Sequence, residues 1–183
     1  MRALSLILTL LVCFSARASN EINTEINQIY AKLSVAYDNL KTDDLIQFYS
    51  DNACLISASK EEGLLNGRQQ IAEGIDDWFQ EIRQRGAQLK VHYRVVNRQM
   101  SADTVIDSGY YLVVYTPAKS TEQPASEFVG KYIMSFQRNQ DKHWQIISES
   151  ANRTKSEKFL NSPRQEELFY QEYQRSPTTR VNP

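Results

Sequence analysis

Apolar residues recur every three or four positions in three stretches of the first half of the chain, a spacing that predicts amphipathic helices. The first stretch covers 22–40, the second is short and begins at Thr42 or Asp43, and the third follows Gly67 and ends at Gly86. A glycine favours a helix end because it adopts the left-handed conformation at little cost. We therefore predict three helices ahead of the first long strand.

From residue 89 onward the pattern changes to strict alternation of apolar and polar residues, which is typical of a strand with one wet face. The first such strand covers 89–95, and three further β-rich runs follow at 105–115, 127–138 and 143–151. An earlier strand is predicted at 53–57, followed by a hairpin-like loop. Helices first and antiparallel strands afterwards indicate an α+β fold.

The C-terminal extension, residues 155–183, carries a helix signal of its own. Ser162, Pro163 and Gln165 resemble a capping box with proline at the first helical position. Leu168 and Phe169, with Tyr173 farther on, would form its apolar stripe. We predict one C-terminal helix that packs either on its own domain or on a second subunit.

The N-terminus has the features of a secretory signal peptide at residues 1–18. Arg2 precedes an apolar run over 3–14, and Ala16-Arg17-Ala18 forms a cleavage pattern. The run is shorter than the roughly 20 apolar residues that span a bilayer. These features favour cleavage, a periplasmic or secreted protein and no membrane contact afterwards; a buried N-terminal helix is the alternative.

Composition excludes several classes of function. The chain has 183 residues, 41% of them hydrophobic and 23% charged, and a net charge of -1, so no strong field indicates a nucleic-acid partner. Cys13 would leave with the signal peptide, and Cys54 in a predicted core strand is then expected to be inert. Since no metal-ligand cluster, P-loop or dinucleotide fingerprint occurs, we expect neither a metal nor a cofactor.

Three short passages carry a resemblance to a known family. The passage 43–53, the stretch 65–71 around Gly67, and the late strand 142–147 resemble, in order and spacing, motifs of the SnoaL-like, nuclear-transport-factor-2-like (NTF2-like) superfamily. The resemblance implies a cone-shaped, curved antiparallel sheet over which the three helices pack, in a domain covering 19–154. It also allows a homodimer formed through the outer sheet face.

The superfamily includes ketosteroid isomerase, whose functional positions can be compared with this chain. The resemblance places the isomerase's general base at Ser57, one tyrosine donor at Leu33 and the remaining oxyanion donor at Tyr132. A serine without a base cannot remove a carbon-bound proton, and leucine donates no hydrogen bond. Ketosteroid-type isomerisation is therefore disfavoured.

Two other family mechanisms also lack their residues. A dehydratase needs an inward-facing His–Asp pair, but His92 is predicted to face solvent and His143 to lie in a turn. An epoxide hydrolase needs Asp–Arg–Asp around a water, and the sequence does not bring Asp103, Arg94 and Asp107 together.

Glu149 is the strongest candidate for chemistry. Alternation places it with Gln145, Ile147 and Ala151 on the face that the resemblance assigns to the cavity wall. A carboxylate inside an aromatic cavity has a raised pKa and can act as an acid or a base. Tyr132 on the neighbouring strand is its predicted partner in catalysis; otherwise Glu149 is solvated or paired with an arginine at the sheet edge.

Aromatic and polar residues could complete a ligand pocket. The candidates for ligand binding are Tyr30, Tyr37, Ser57, Trp78, Tyr110 and Ile147. Aromatic stripes also serve simply as core, so both interpretations stay open. The sequence favours an exported domain that binds a small, largely apolar molecule. The alternatives are a cofactor-free isomerase, dehydratase or hydrolase that uses Glu149 and Tyr132, and a non-catalytic dimerisation or interaction module.

Overall fold

The computed structural model describes residues 2–58 and 63–181, with side chains from residue 19 onward. Four helices and seven strands follow one another along the chain. The helices are α1 (Arg2–Asp38), α2 (Thr42–Ile46), α3 (Arg68–Gln84) and α4 (Ser156–Leu160). The strands are β1 (Tyr49–Ile56), β2 (Leu64–Asn66), β3 (Gln88–Met100), β4 (Thr104–Thr116), β5 (Ser126–Arg138), β6 (Trp144–Thr154) and β7 (Arg180–Val181).

The strands form one curved, unclosed sheet in the order β2-β1-β6-β5-β4-β3, with β7 pairing beside β5. The predicted α+β class is confirmed, but the sheet is mixed rather than purely antiparallel, because β1 runs parallel to β6 and β7 parallel to β5. Strands β3 to β6 form the long antiparallel meander that the alternation predicted.

The three predicted N-terminal helices are confirmed. Gly67 and Gly86, which flank α3, both have positive φ angles, a conformation that glycine adopts at little cost and that is common just after a helix ends. Within the described part of the chain, no helix is long and apolar enough to cross a membrane. The side chains of the proposed signal peptide, 1–18, lie outside the described residues, so cleavage stays a prediction.

The helices cover one face of the sheet, here called the inner face. The apolar stripes of α1 and α3 pack against inward-facing residues of the strands and form one continuous core. The largest fully buried side chains of this core are Tyr30, Tyr49, Phe79, Phe136, Ile26, Leu33, Leu45, Ile71, Leu89 and Met134.

A β-bulge in β6 determines which residues reach the inner face. Ile146 pairs with Phe136 while Ser148 pairs with the preceding residue, Ser135, so Ile147 is the extra residue. The bulge resets the alternation, and Ile146 and Glu149 consequently face the same side. Glu149 faces inward, as the alternation predicted, and so does Ala151. Two of the predicted neighbours do not: Gln145 lies on the other face and Ile147 in the bulge.

The predicted helix beginning at Ser162 is wrong. After the short helix α4, the C-terminal segment (residues 161–181) is mostly irregular: residues 169–171 lie against the edge of β3, and β7 at its end pairs with β5. The Val95 amide donates to the Phe169 carbonyl at 2.8 Å, and the Gln171 amide donates to the Tyr93 carbonyl at 3.0 Å. The edge strand offers unpaired backbone groups that outweigh the local capping signal.

The C-terminal segment also covers part of the sheet's outer face, opposite the helices. The Tyr173 hydroxyl donates to buried Glu127 at 2.7 Å, and Arg175 forms an ion pair with the same carboxylate. His92, predicted to be exposed, is half-buried beneath Tyr173, with ring centroids 5.2 Å apart. Neighbouring Arg94 is buried because it donates to carbonyl groups of α4 and of the C-terminal segment.

The rest of the outer face stays uncovered. Cross-strand pairing aligns Ile56, Ser150, Ile133 and Ser108 in one row across β1, β6, β5 and β4. Cys54 stands in the adjacent row, half-buried and without a disulfide, so its expected place in the core is wrong.

Candidate functional site

Glu149 lies on the inner face of β6, where its carboxylate meets a tyrosine from β1. The Tyr49 hydroxyl donates a hydrogen bond to Glu149 Oε2 at 2.6 Å. Glu149 is half-buried, whereas Tyr49 is almost completely buried. Burial raises the pKa of Glu149 above its ordinary value, and the hydrogen bond from Tyr49 limits that rise. The carboxyl group therefore retains its proton to a higher pH than an exposed glutamate does.

Three further tyrosines surround this pair. Burial raises the pKa of Tyr37, Tyr93 and Tyr111, and the Glu149 carboxylate raises each of them further. For Tyr111 the pKa rises to about 12. All three hydroxyls consequently stay protonated at neutral pH.

Tyr132, the predicted partner of Glu149, belongs to a different cluster. Its hydroxyl and that of Tyr30 are buried and approach each other and Asp107, but neither meets hydrogen-bond geometry with a described protein atom. Tyr132 and Glu149 affect each other's electrostatics only weakly. The residue that donates to Glu149 is Tyr49, so the predicted pairing with Tyr132 is wrong.

A buried ion pair lies beside those two hydroxyls. Arg98 on β3 donates two hydrogen bonds, both 2.7 Å long, to the two carboxylate oxygens of Asp107 on β4. Its third contact is Asn23 Oδ1 on α1, at 2.9 Å. Both charged side chains are essentially inaccessible to solvent. Because Arg98 also contacts Asn23, the ion pair links α1 to strands β3 and β4.

The epoxide-hydrolase arrangement considered from the sequence does not form. Arg94 points to the outer face, where its guanidinium lies 4.2 Å from the ring centroids of Phe159 and Tyr170. Asp103 is exposed in the turn between β3 and β4. Asp107 therefore has Arg98 as its cationic partner, and no second aspartate among the described residues completes the triad.

The predicted ligand-binding residues do not all reach the inner face. Tyr37 and Trp78 are half-buried and pack against each other, with ring centroids 6.1 Å apart. Tyr30 is fully buried and stacks on Phe169, so it serves the core. Tyr110 was placed wrongly: it faces outward and packs with the small outer cluster around Leu112.

The two remaining ligand-binding candidates lie at structural irregularities. Ser57 follows β1 directly and is half-buried, while Ile147 occupies the bulge of β6. Leu33, at the position of the isomerase's tyrosine donor, is buried in the core and offers no hydrogen bond. Ser57 and Leu33 thus provide neither a base nor a donor for isomerase chemistry.

Sequence reasoning missed Tyr49 and Tyr93, and it chose Tyr110 over Tyr111. Counting the alternation back from Val113 through β4 would have selected Tyr111, because Val113 and Tyr111 both face the core. No comparable local signal existed for Tyr49, because an irregularity separates it from the regular part of β1.

Other sites for a ligand or a metal are not better supported. A groove between α2 and α3 is lined by the acidic residues Asp43, Asp44, Glu73 and Asp76, together with Lys41, Thr42 and Ala72. Four of its seven lining residues are acidic, and none is aromatic, so it does not match the predicted apolar ligand. Among the described residues, no cluster of three or more His, Cys, Asp or Glu side chains could hold a metal ion.

Comparisons in sequence found no matching family model and no matching curated protein. Comparison with solved structures found many similar folds. An NTF2-like protein with a cystatin-like fold from Novosphingobium aromaticivorans is 15% identical, with a TM-score of 0.63, over 81% of this chain and 91% of that one. Aln2 from a Streptomyces species is 19% identical, with a TM-score of 0.63, over 73% and 91%.

A ketosteroid isomerase-like protein from Erwinia carotovora atroseptica is 14% identical, with a TM-score of 0.56, over 72% of this chain and 95% of that one. Identities this low establish the fold and leave the activity to be argued from the site. With helices packed over one face of a curved sheet and these structural neighbours, the chain has the cone fold of the NTF2-like superfamily.

Proposed function

We propose that this protein is exported and binds a small, largely apolar molecule on the inner face of its sheet, next to Glu149. The observation that carries the proposal is the half-buried Glu149 carboxylate, held by Tyr49 amid aromatic side chains. Binding pockets commonly combine apolar walls with a few polar groups that fix the ligand's orientation. A purely structural core gains nothing from a carboxylate at this position, because its burial costs free energy.

An enzymatic role is the second candidate, and the same pair favours it. A carboxyl group with a raised pKa exchanges protons efficiently near neutral pH, and a neighbouring tyrosine donor stabilises its ionised form. Any such reaction would use Glu149 with Tyr49, not with Tyr132. The reaction class stays open between isomerisation, dehydration and hydrolysis.

Native mass spectrometry of the protein purified from its own host tests the binding proposal. We expect a retained small molecule in the wild type and its loss or reduced occupancy in the Glu149→Gln variant. The Glu122→Gln variant, changed at an exposed loop position, is the matched control and should retain the molecule. Equal retention by the wild type and both variants would show that Glu149 does not contact the ligand.

The pH dependence of unfolding provides the folding control for Glu149→Gln. Since the folded state raises the pKa of Glu149, the folded protein binds more protons than the unfolded chain just above the ordinary value of 4.5. The stability contributed by this group is therefore present at lower pH and declines as pH rises through the folded pKa. The variant should lack this decline and melt no lower than the wild type at neutral pH.

A homodimer formed through the uncovered outer face is an independent proposal. Ile56, Ile106 and Ile133 are exposed there. Neither the row of Ile56 nor the adjacent row, which joins Cys54, Ser148, Ser135 and Ile106, carries a charged side chain across β1, β6, β5 and β4. Exposed apolar surface of this kind is typical of an interaction site. We expect Ile133→Lys to convert a dimer to a monomer in multi-angle light scattering. Lys131→Ala, on the same face and strand, is the control; a monomeric wild type would contradict the proposal.

A further inference from the structure

Arg153 extends the inner face of β6 beyond Glu149 and has the geometry of an anion-binding group. It lies four residues after Glu149 on the same face, and its guanidinium carbon is 3.3 Å from the centroid of the Phe128 ring. The side chain is exposed, and no described carboxylate lies within ion-pair distance of it. Two further inward-facing arginines are by contrast paired, Arg98 with Asp107 and Arg138 with Glu25.

Tyr111 connects Arg153 to Glu149. Gly130 pairs with Tyr111 on one side and with Arg153 on the other, and it has no side chain. A Cβ atom at this position would overlap the Tyr111 ring. The glycine thus lets Tyr111 lie across β5. There the charge of Arg153 lowers the pKa of the Tyr111 hydroxyl and the charge of Glu149 raises it. The result is a polar line along an otherwise aromatic wall.

The spacing of this line limits the size of a ligand. Residues four apart on a strand are separated by roughly 13 Å between Cα atoms. A molecule that contacts both side chains therefore needs a body of about one or two rings. Phe128 and Tyr111, whose rings meet edge to face, supply an apolar surface for such a body.

The charges fix the chemistry at each end. The guanidinium of Arg153, supported by the face of Phe128, is suited to a planar anion that accepts two hydrogen bonds. A second negative charge at the other end would meet the Glu149 carboxylate and be repelled. A hydroxyl or carbonyl oxygen can instead exchange hydrogen bonds with Glu149 and Tyr49.

We propose that the ligand is a monoanionic ring carboxylate, with its carboxylate on Arg153 and an uncharged polar end at Glu149. The inference rests on the proposed function, since it names the class of molecule that the inner face binds. A carboxylate is favoured over a phosphate because Arg153 is the sole cation in this line of described residues, and a dianion calls for more than one.

Calorimetry with three probes on the same ring tests this assignment. The probes are 2-naphthoate, its neutral counterpart 2-naphthylmethanol, and 2-naphthyl phosphate. We expect the wild type to bind 2-naphthoate at least tenfold more tightly than the other two. Arg153→Met should remove that preference and leave the affinity for 2-naphthylmethanol unchanged, whereas Arg85→Met, at an exposed site on the far end of α3, should change neither affinity.

Each alternative outcome has a separate meaning. Equal binding of 2-naphthoate and 2-naphthylmethanol would overturn the anion assignment while leaving the proposed binding function intact. Tighter binding of 2-naphthyl phosphate would overturn the choice of carboxylate. If Arg153→Met weakened the binding of all three probes equally, Arg153 would contribute to binding by packing alone and not by its charge. If none of the probes bound the wild type at millimolar concentration, this assignment would be wrong, whereas the proposed binding function would still be decided by native mass spectrometry.

Discussion

The Asp107→Asn variant is expected to lower the free energy of unfolding by about 3–5 kcal/mol, which is typical of a buried ion pair that loses one charge. The substitution leaves the guanidinium of Arg98 inside the protein with only neutral partners, since Asn23 supplies just an amide oxygen. Chemical denaturation monitored by tryptophan fluorescence would measure the loss. The Asp141→Asn variant, changed in an exposed turn, should match the wild type within about 0.5 kcal/mol.

A double variant shows how much of the lost free energy of unfolding comes from leaving Arg98 without its partner and how much from losing the ion pair itself. Replacing Arg98 with Met and Asp107 with Leu removes both charges, and we expect it to recover most of the stability lost in Asp107→Asn. If Asp107→Asn cost less than about 1 kcal/mol, then water would have to reach Arg98 in the folded protein, contrary to its burial.

Removal of residues 161–183 is expected to have the second large effect. The truncation uncovers the edge of β3 and the apolar surface under Leu168 and Phe169, and it deletes Tyr173 from the outer cluster. At about 1.5–3 kcal/mol for each fully buried side chain of this kind, partial burial of three predicts a loss of at least about 3 kcal/mol. Melting temperature and solubility of the truncated protein measure the effect.

A milder variant keeps this prediction testable if the truncated chain aggregates. Phe169→Ala preserves the backbone hydrogen bonds to β3 and removes the ring that stacks on Tyr30. It should lower the melting temperature, while Arg164→Ala, an exposed change in the same segment, should not. A truncated protein that kept the wild-type melting temperature would show that the segment contributes no stability.

Periodicity predicted helices and strands correctly where only one face of the element is buried. The stripe of α1 and the alternation of β3 both follow directly from contact with a single core, so local pattern and final structure agree. The helix predicted at Ser162 failed because its signal was weak and local. The edge of β3, more than sixty residues earlier in the chain, offered backbone partners that no local pattern reveals.

The candidate site was predictable only in part. Glu149 was recognised because a carboxylate stands out in an apolar run, whereas Tyr49 reaches it only through the pairing of β1 with β6. Arg153 lies on the same strand as Glu149, four residues on, so alternation alone places both on one face. Tyr110 and Tyr111 are adjacent, so a shift of one residue decides which of them reaches the inner face. Resemblance supplied the cone fold, but not the partner of the carboxylate.

The extra residue in β6, Ile147, shifts the alternation by one position, so the residues before it and the residues after it follow different inward–outward patterns. Deletion of Ile147 would restore simple alternation and force a choice: either the half that carries Ile146 or the half that carries Glu149 would have to turn outward. When this strand is compared with a strand of similar fold that lacks the bulge, an ungapped alignment through position 147 equates inward residues of one protein with outward residues of the other. Functional residues transferred across that position would fall on the wrong side of the sheet.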